Sequence, residues 1–330
     1  MSEMLTRKIG RSGISASAVG LGTWAIGGWM WGGADDKASI DAIHASMDAG
    51  ITFIDTAPAY GMGRSEEIVG RAIKGRRDKI VLATKCGLIW HLQKGNYFFS
   101  QKDLPVHRFL GRDSIRYEVE QSLRRLGTDY IDHYITHWQD QTTEIDETMD
   151  ALIELKNEGK ILSIGASNCS VDDIKRYYNA GQLDSVQEEY SLLKRNLEKE
   201  IIPYCSSQDI SVIAYSSLAL GLLSGKIGPE RIFDGDDLRK ENPLFSQSNR
   251  HKIKLFMDSL KPLADVHKSS EARIIIAWTL SQKGVSITLC GARNPQQAIE
   301  NASAGYLRLQ ESEISEINKL AKKYLVDLDT

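Results

Sequence analysis

The chain has 330 residues, of which 42% are hydrophobic and 26% charged, ample for a sizeable core and too ordinary for a disordered or fibrous protein. Its 41 basic and 44 acidic residues leave a formal charge of −3, which excludes the broad basic field that holds nucleic acid or an anionic membrane. The start, Met-Ser-Glu-Met-Leu-Thr-Arg-Lys, has no apolar signal segment, no window is apolar enough to span a bilayer, and the four cysteines (Cys86, Cys169, Cys205, Cys290) show neither Cys-x-x-Cys nor zinc-ligand spacing. These features lead us to expect a cytoplasmic protein with free thiols and no metal.

Residues 5–18 read as a hairpin around Gly10-Arg11-Ser12-Gly13. Strands and helices then alternate. The expected strands are 18–21, 51–54, 79–84, 130–136, 161–166, 183–186, 211–214 and 285–289. The expected helices are 37–48, 65–74 opened by Ser-Glu-Glu, one capped by Asp113, 143–158, 171–179, 197–208, 248–267, 270–283, one from Pro295, and 311–324. Two long connections, 86–112 and 217–247, interrupt the alternation, and connections of that length are usually functional. Eight strand–helix units without a composition break predict one domain over 1–330, a (β/α)8 TIM barrel with an N-terminal hairpin cap and extra C-terminal helices.

Polar residues follow the strands in register: Asp55 and Tyr60 after the second, Lys85 after the third, His137 after the fourth, Asn168 after the fifth, Gln187 after the sixth, Tyr215 and Ser216 after the seventh. In a barrel these converge on one mouth. Tyr, Lys, His and Asp together suit reversible carbonyl reduction. Charge builds on the carbonyl oxygen as the carbon is reduced, so a proton donor must meet it. A phenol, with a reference pKa of about 10, holds that proton at neutral pH; a nearby Lys⁺ favours the phenolate left behind, Asp fixes the Lys, and His orients the carbonyl. Taken singly, each is more often a surface charge or a packed core group.

The stretches Gly20-Leu21-Gly22-Thr23-Trp24, Phe53-Ile54-Asp55-Thr56-Ala57 through Tyr60-Gly61 and Ser65-Glu66, Ala83-Thr84-Lys85, Asp129-Tyr130-Ile131-Asp132 through His137-Trp138, Gly165-Ala166-Ser167-Asn168 and Gly221-Leu222-Leu223-Ser224-Gly225-Lys226 closely resemble the aldo-keto reductases, over nearly the whole chain. Within that family the chain is most similar to bacterial members related to potassium-channel β subunits and to methylglyoxal and polyol oxidoreductases. The resemblance implies a catalytic tetrad of Asp55, Tyr60, Lys85 and His137, with Tyr60 the general acid. It implies carboxamide contacts from Ser167, Asn168 and Gln187, an aromatic stacked on the nicotinamide at Tyr215, and a pyrophosphate segment of Ser216, Ser217, Leu218, Ala219, Leu220 and Gly221 with Lys226 and Arg239. Gly22, Thr23 and Trp24 match the first cofactor-and-substrate turn, and Gly291, Ala292, Arg293, Gln297, Glu300 and Asn301 match the adenosine end. Ser217 stands where relatives often carry Pro.

Arg293, at the turn into a helix, suits a 2′-phosphate and leads us to expect NADP(H) in preference to NAD(H). Trp24, Trp29, Trp31, Trp90 and Trp138 fall on loops or strand ends and, with Tyr60 and His137, form the expected pocket for a small carbonyl compound. Small aldehydes, hydroxyaldehydes and sugar-derived carbonyls all fit; physiological substrate, direction and oligomeric state stay open at this level. Two rival readings are a Schiff base on Lys85 and an NADP(H)-binding redox sensor without catalysis. Tyr190-x-x-x-Lys194 reproduces the short-chain dehydrogenase spacing but lacks that family's amino-terminal glycine loop, and Gly61-Met62-Gly63 reads as a loop turn rather than a dinucleotide fingerprint.

Overall fold

In a computed structural model the described residues are 3–101 and 103–328, so residues 1, 2, 329 and 330, the ends of the expected domain, lie outside them, as does residue 102. The chain opens with the antiparallel pair β1 (Thr6–Lys8) and β2 (Ser15–Ser17). The turn between them packs Gly10 so closely on Asp184 that a Cβ would sit 2.2 Å from its carbonyl oxygen, and its φ of +49° also favours glycine. Strands and helices then alternate: β3 (Val19–Gly22), α1 (Asp36–Asp48), β4 (Phe53–Asp55), α2 (Arg64–Ile73), β5 (Val81–Cys86). After β5 come three short strands, β6 (Leu88–Ile89), β7 (Asn96–Gln101) and β8 (Leu104–Arg108). The alternation resumes with α3 (Arg112–Leu126), β9 (Ile131–Thr136), α4 (Ile145–Asn157), β10 (Ile161–Ser167), α5 (Val171–Ala180), β11 (Ser185–Glu189), α6 (Ile201–Ser207) and β12 (Ser211–Tyr215). The chain ends with α7 (Gln247–Ser259), α8 (Lys261–Val266), α9 (Glu271–Ser281), β13 (Val285–Gly291), α10 (Pro295–Ser303) and α11 (Glu311–Tyr324).

Strands β3, β4, β5, β9, β10, β11, β12 and β13 pair in parallel, and β13 returns to β3 with Leu289 opposite Gly20, closing the expected (β/α)8 barrel. Such strands are covered on both sides, which is why β5 and β9 are buried at every residue. Inside the barrel Phe53, Val81, Ile135, Ile213 and Ile287 pack with Ile9 and Ala16, so the hairpin plugs the end opposite the strand C-termini. Outside it, Ile43, Val69, Val119, Leu152, Ile174 and Ile275 seat the helices.

Several local expectations are corrected. The long connection 86–112 contains the antiparallel sheet β6-β8-β7. The helix expected over 248–267 breaks at Leu260, because Pro262 in the first turn of α8 has no N–H to continue the ladder. Helix α2 starts at Arg64 behind a left-handed Gly63, and the Ser65 hydroxyl is buried against Thr23 and Thr56 instead of capping. Gly111, not Asp113, caps α3.

Buried titratable groups make stability depend on pH in two opposed ways. Burial first, then the Lys85 and Lys156 charges, push His133 down to about 3 while its ring bonds Ser163 and Ser185. The unfolded chain therefore takes up this proton first, and the stability His133 contributes is full above about pH 6.5 and is lost as pH falls toward 3. Glu118 and Glu188 are pushed up to about 8 by burial, against the pull of backbone N–H donors. Their contribution is full below about pH 4.5 and is lost as pH rises toward 8. Urea midpoints should fall on both sides of a maximum near pH 4.5, above which the two glutamates outweigh the one histidine, and Glu118→Gln should flatten the alkaline limb; an unchanged alkaline slope in that variant contradicts the assignment.

Candidate active site

The C-terminal ends of the strands open into one cavity of about 760 Å³. At one end, Asp55 closes β4 and Lys85 sits on β5, where its side chain is fully buried. The Lys85 ammonium donates to Asp55 Oδ1 and Oδ2, each at 2.8 Å, to the Thr56 carbonyl at 2.9 Å and to the Tyr60 hydroxyl at 3.2 Å. Behind β5, buried Glu66 accepts from Thr84 Oγ1 and Arg125 Nε at 2.6 Å each, pinning the strand next to Lys85. The Gln187 amide donates to Asp55 Oδ1 at 2.8 Å, so a residue from β11 holds the same carboxylate.

Burial pulls the Lys85 ammonium below its ordinary pKa, and Asp55, with Glu66 behind it, works against that. Burial, then the Asp55 charge, push the Tyr60 phenol well above its ordinary value. The sequence reading weighed only Lys85; Asp55 is bound to that same ammonium and opposes it, so Tyr60 holds its proton firmly. His137 meets the Tyr60 ring edge-on at 5.7 Å, and burial, then Lys85, push its pKa well down, leaving a neutral imidazole. A phenol that keeps its proton beside a buried ammonium and a neutral His is an acid and a hydrogen-bonding group aimed at one point.

The floor beside this cluster is a hydrogen-bonded chain. Tyr215 Oη donates to Asn168 Oδ1 at 2.7 Å, Asn168 Nδ2 donates to the His137 carbonyl at 2.8 Å, and Ser167 Oγ donates to the Gln187 carbonyl at 2.6 Å. Asn168 adopts a left-handed φ of +57°, uncommon outside glycine, which turns its amide toward both neighbours. Further along, Ser216, Ala219, Leu220 and Gly221 all have positive φ. Of these, Ser216, Leu220 and Gly221 line the cavity, and for Ser216 and Leu220 the left-handed φ is uncommon.

The far end is cationic but internally paired. Lys226 meets Glu300 at 2.7 Å, Arg239 is held by both oxygens of Asp237 and stacks on Trp31 at 5.0 Å, and Arg293 donates to the carbonyls of Trp31 and Gly33. Asn301 donates to the Gly291 carbonyl, and Gln297 accepts from the Arg293 backbone. Trp31 lines this cavity and its buried indole N–H has no partner, an orphan donor suited to an oxygen-rich ligand.

The sequence pattern of the Aldo/keto reductase family matches residues 18–322. An aldo-keto reductase of Bacillus subtilis (strain 168), YhdN, is 42% identical over 322 residues, covering 97% of this chain and 94% of its own. An NADH-specific methylglyoxal reductase of Escherichia coli (strain K12) is 40% identical over 320 residues, covering 95% and 97%. Among solved structures, the glycerol dehydrogenase AKR11B4 of Gluconobacter oxydans superposes with a TM-score of 0.87 at 39% identity, covering 97% of this chain and 96% of that one. The chain belongs to the aldo/keto reductase family.

In this aldo/keto reductase most residues singled out in the sequence meet at the cavity. Gly22, Trp24, Trp31, Asp55, Tyr60, His137, Trp138, Ser167, Asn168, Gln187, Tyr215, Ser216, Ser217, Leu218, Leu220, Gly221, Lys226, Arg239, Gly291, Arg293, Gln297, Glu300 and Asn301 line it, and Lys85 reaches it through Tyr60. The Ser217 hydroxyl donates to the Leu289 carbonyl, tying to β13 the loop that a Pro would have stiffened.

Besides Lys85, four expected site residues do not line it: Thr23, Ala219, Trp90, and Ala292, which packs into the core. Thr23 is buried, with its hydroxyl on the Asp55 carbonyl and Ser65. Ala219 packs into the core. Trp90 lines a separate cavity of about 70 Å³ with Pro58, His91, Glu118 and Arg125, because β6 pairs with β8 and carries the chain away from the mouth. Among the lining residues the sequence reading missed are Ala59, Leu88, Phe98, Phe99 and Arg231; for the two phenylalanines the available signal was the β-prone run 96–101 after Gly95. The Tyr190/Lys194 pair is occupied elsewhere, Tyr190 donating to Glu198 and Lys194 pairing with Glu189. Among the described residues no helix is long and apolar enough to cross a membrane.

Proposed function

We propose that the protein, acting as a single domain in the cytoplasm, reduces aldehydes or ketones to alcohols with NADPH, using Tyr60 as general acid. The observation that carries this reading is the Asp55–Lys85–Tyr60 contact beside a neutral His137 in a cavity of about 760 Å³. Asn168, Gln187 and Tyr215 would hold the nicotinamide end, the 216–221 backbone with Lys226 and Arg239 the pyrophosphate, and Arg293, Gln297 and Asn301 the adenosine. A bound nicotinamide supplies the hydride. Tyr60 delivers its proton to the carbonyl oxygen, Lys85 stabilises the phenolate left behind, Asp55, itself held by Gln187, keeps Lys85 in place, and His137 orients the carbonyl.

Small aldehydes, hydroxyaldehydes and sugar-derived carbonyls are the proposed substrates, in keeping with the names of the E. coli and Gluconobacter relatives. Consumption of NADPH at 340 nm across such a panel, with one alcohol formed per nicotinamide oxidised, tests the reading. Tight cofactor binding without turnover would replace it by a regulatory NADP(H) sensor.

The NADPH preference rests on Arg293, which stands just before the N-terminus of α10. The NADH specificity in the E. coli relative's name points the other way. Arg293→Ala should weaken NADPH roughly 10-fold more than NADH, measured as dissociation constants by fluorescence titration; an equal loss for both removes Arg293 from the 2′-phosphate.

A further inference from the structure

Beyond the tetrad, the acceptor end of the cavity is built by two segments outside the barrel strands. The connection from β3 to α1 carries Trp29, and β7 carries Phe98 and Phe99; all three line the cavity. The rings of Trp138, Phe98, Phe99 and Trp29 form a row with successive centroids 5.1, 5.3 and 5.0 Å apart, which begins at the residue after His137. Trp29 and Phe99 stack at an interplanar angle of 29° and join the two segments across the rim, both half-buried. Opposite them Trp24 stacks on Tyr60 at 6.2 Å. On the reading above, a dinucleotide spans the Tyr215, 216–221 and Arg293 side of the cavity, which leaves the carbonyl compound the space between these ring walls.

The ring-walled end beside the tetrad offers no partner for a charge. Asp55 and Lys85 neutralise each other, His137 is neutral, and Arg108 lies behind the Phe98 and Trp138 rings, outside the cavity lining; the cations that do line the cavity are Lys226, Arg231, Arg239 and Arg293, none of them among these rings. A carboxylate or phosphate held between these rings would lose hydration and find no counter-ion among them.

We propose that the Trp29–Phe99 bridge and the uncharged ring walls select compact, uncharged carbonyl compounds, rejecting sugar phosphates by charge and aryl-substituted carbonyls by size. This rests on the reductase reading above. The loaded enzyme is assayed with glyceraldehyde against glyceraldehyde 3-phosphate, and with propanal against 3-phenylpropanal. The wild type should favour glyceraldehyde over its phosphate by about 100-fold in kcat/KM. Phe99→Ala and Trp29→Ala should each raise the 3-phenylpropanal to propanal ratio by roughly 10-fold or more. A ratio within one preparation is independent of the fraction folded, and Phe99→Leu serves where the alanine variant does not accumulate.

Tryptophan fluorescence titration of loaded Tyr60→Phe with 3-phenylpropanal gives a readout without turnover, and adding Phe99→Ala should tighten binding. Ratios unmoved in both bridge variants overturn the size selection, and turnover of the phosphate equal to that of glyceraldehyde overturns the charge selection. Failure of the wild type to oxidise NADPH or NADH with any of the four compounds overturns the reductase reading itself, an outcome distinct from both.

Discussion

Tyr60→Phe is expected to lower kcat by about 10³-fold while leaving the cofactor dissociation constant within a factor of about 2. The change removes one oxygen, the one Lys85 reaches at 3.2 Å, and keeps the ring that stacks on Trp24 and meets His137. The lost rate is that of a proton no longer delivered to the carbonyl oxygen, so the deficit should persist at saturating substrate. Steady-state rates with propanal, paired with fluorescence titration of NADPH, check both halves. Full activity, or loss of cofactor binding, contradicts the role.

Lys85→Met is expected to damage stability as well as turnover. The Asp55 carboxylate is almost wholly buried and accepts two hydrogen bonds from Lys85; after the substitution the Gln187 amide remains as its donor. Breaking a buried pair costs about 3–5 kcal/mol, which for a chain of this length lowers Tm by roughly 4–7 °C. Asp55→Asn in the same background should recover part of that loss, because the uncompensated charge is gone, but not the activity. Calorimetry of the three proteins decides this; no recovery in the double variant means that the loss comes from packing around the Lys85 stem and not from charge.

The barrel was legible because its strands are covered on both faces, so that runs such as Val81-Leu82-Ala83 read as buried strands within about two residues of their observed ends. That Asp55, Tyr60, Lys85 and His137 come together was legible for a related reason: a polar residue at the C-terminal end of such a run has only the mouth to face. The sheet β6-β8-β7 was not legible. Strand β7 is largely exposed, its aromatics are adjacent instead of alternating, and its register slips between Tyr97 and Phe99, so neither a two-residue period nor a buried run announces it. Trp90 was misplaced for the same reason, since two residues of β6 decide which way it faces. Contacts across long sequence separation, such as Gln187 on Asp55 or Arg293 on the Trp31 and Gly33 carbonyls, carry no local signal at all.

Deuterium transfer tests the central claim most directly. Wild-type protein is given nicotinamide cofactor deuterated at the transferring carbon together with propanal, and the product is analysed by mass spectrometry. The account predicts propanol carrying one deuterium on its carbinol carbon, formed by the wild type and nearly absent with Tyr60→Phe. Unlabelled propanol, or cofactor bound and unconsumed while propanal is recovered intact, would contradict it.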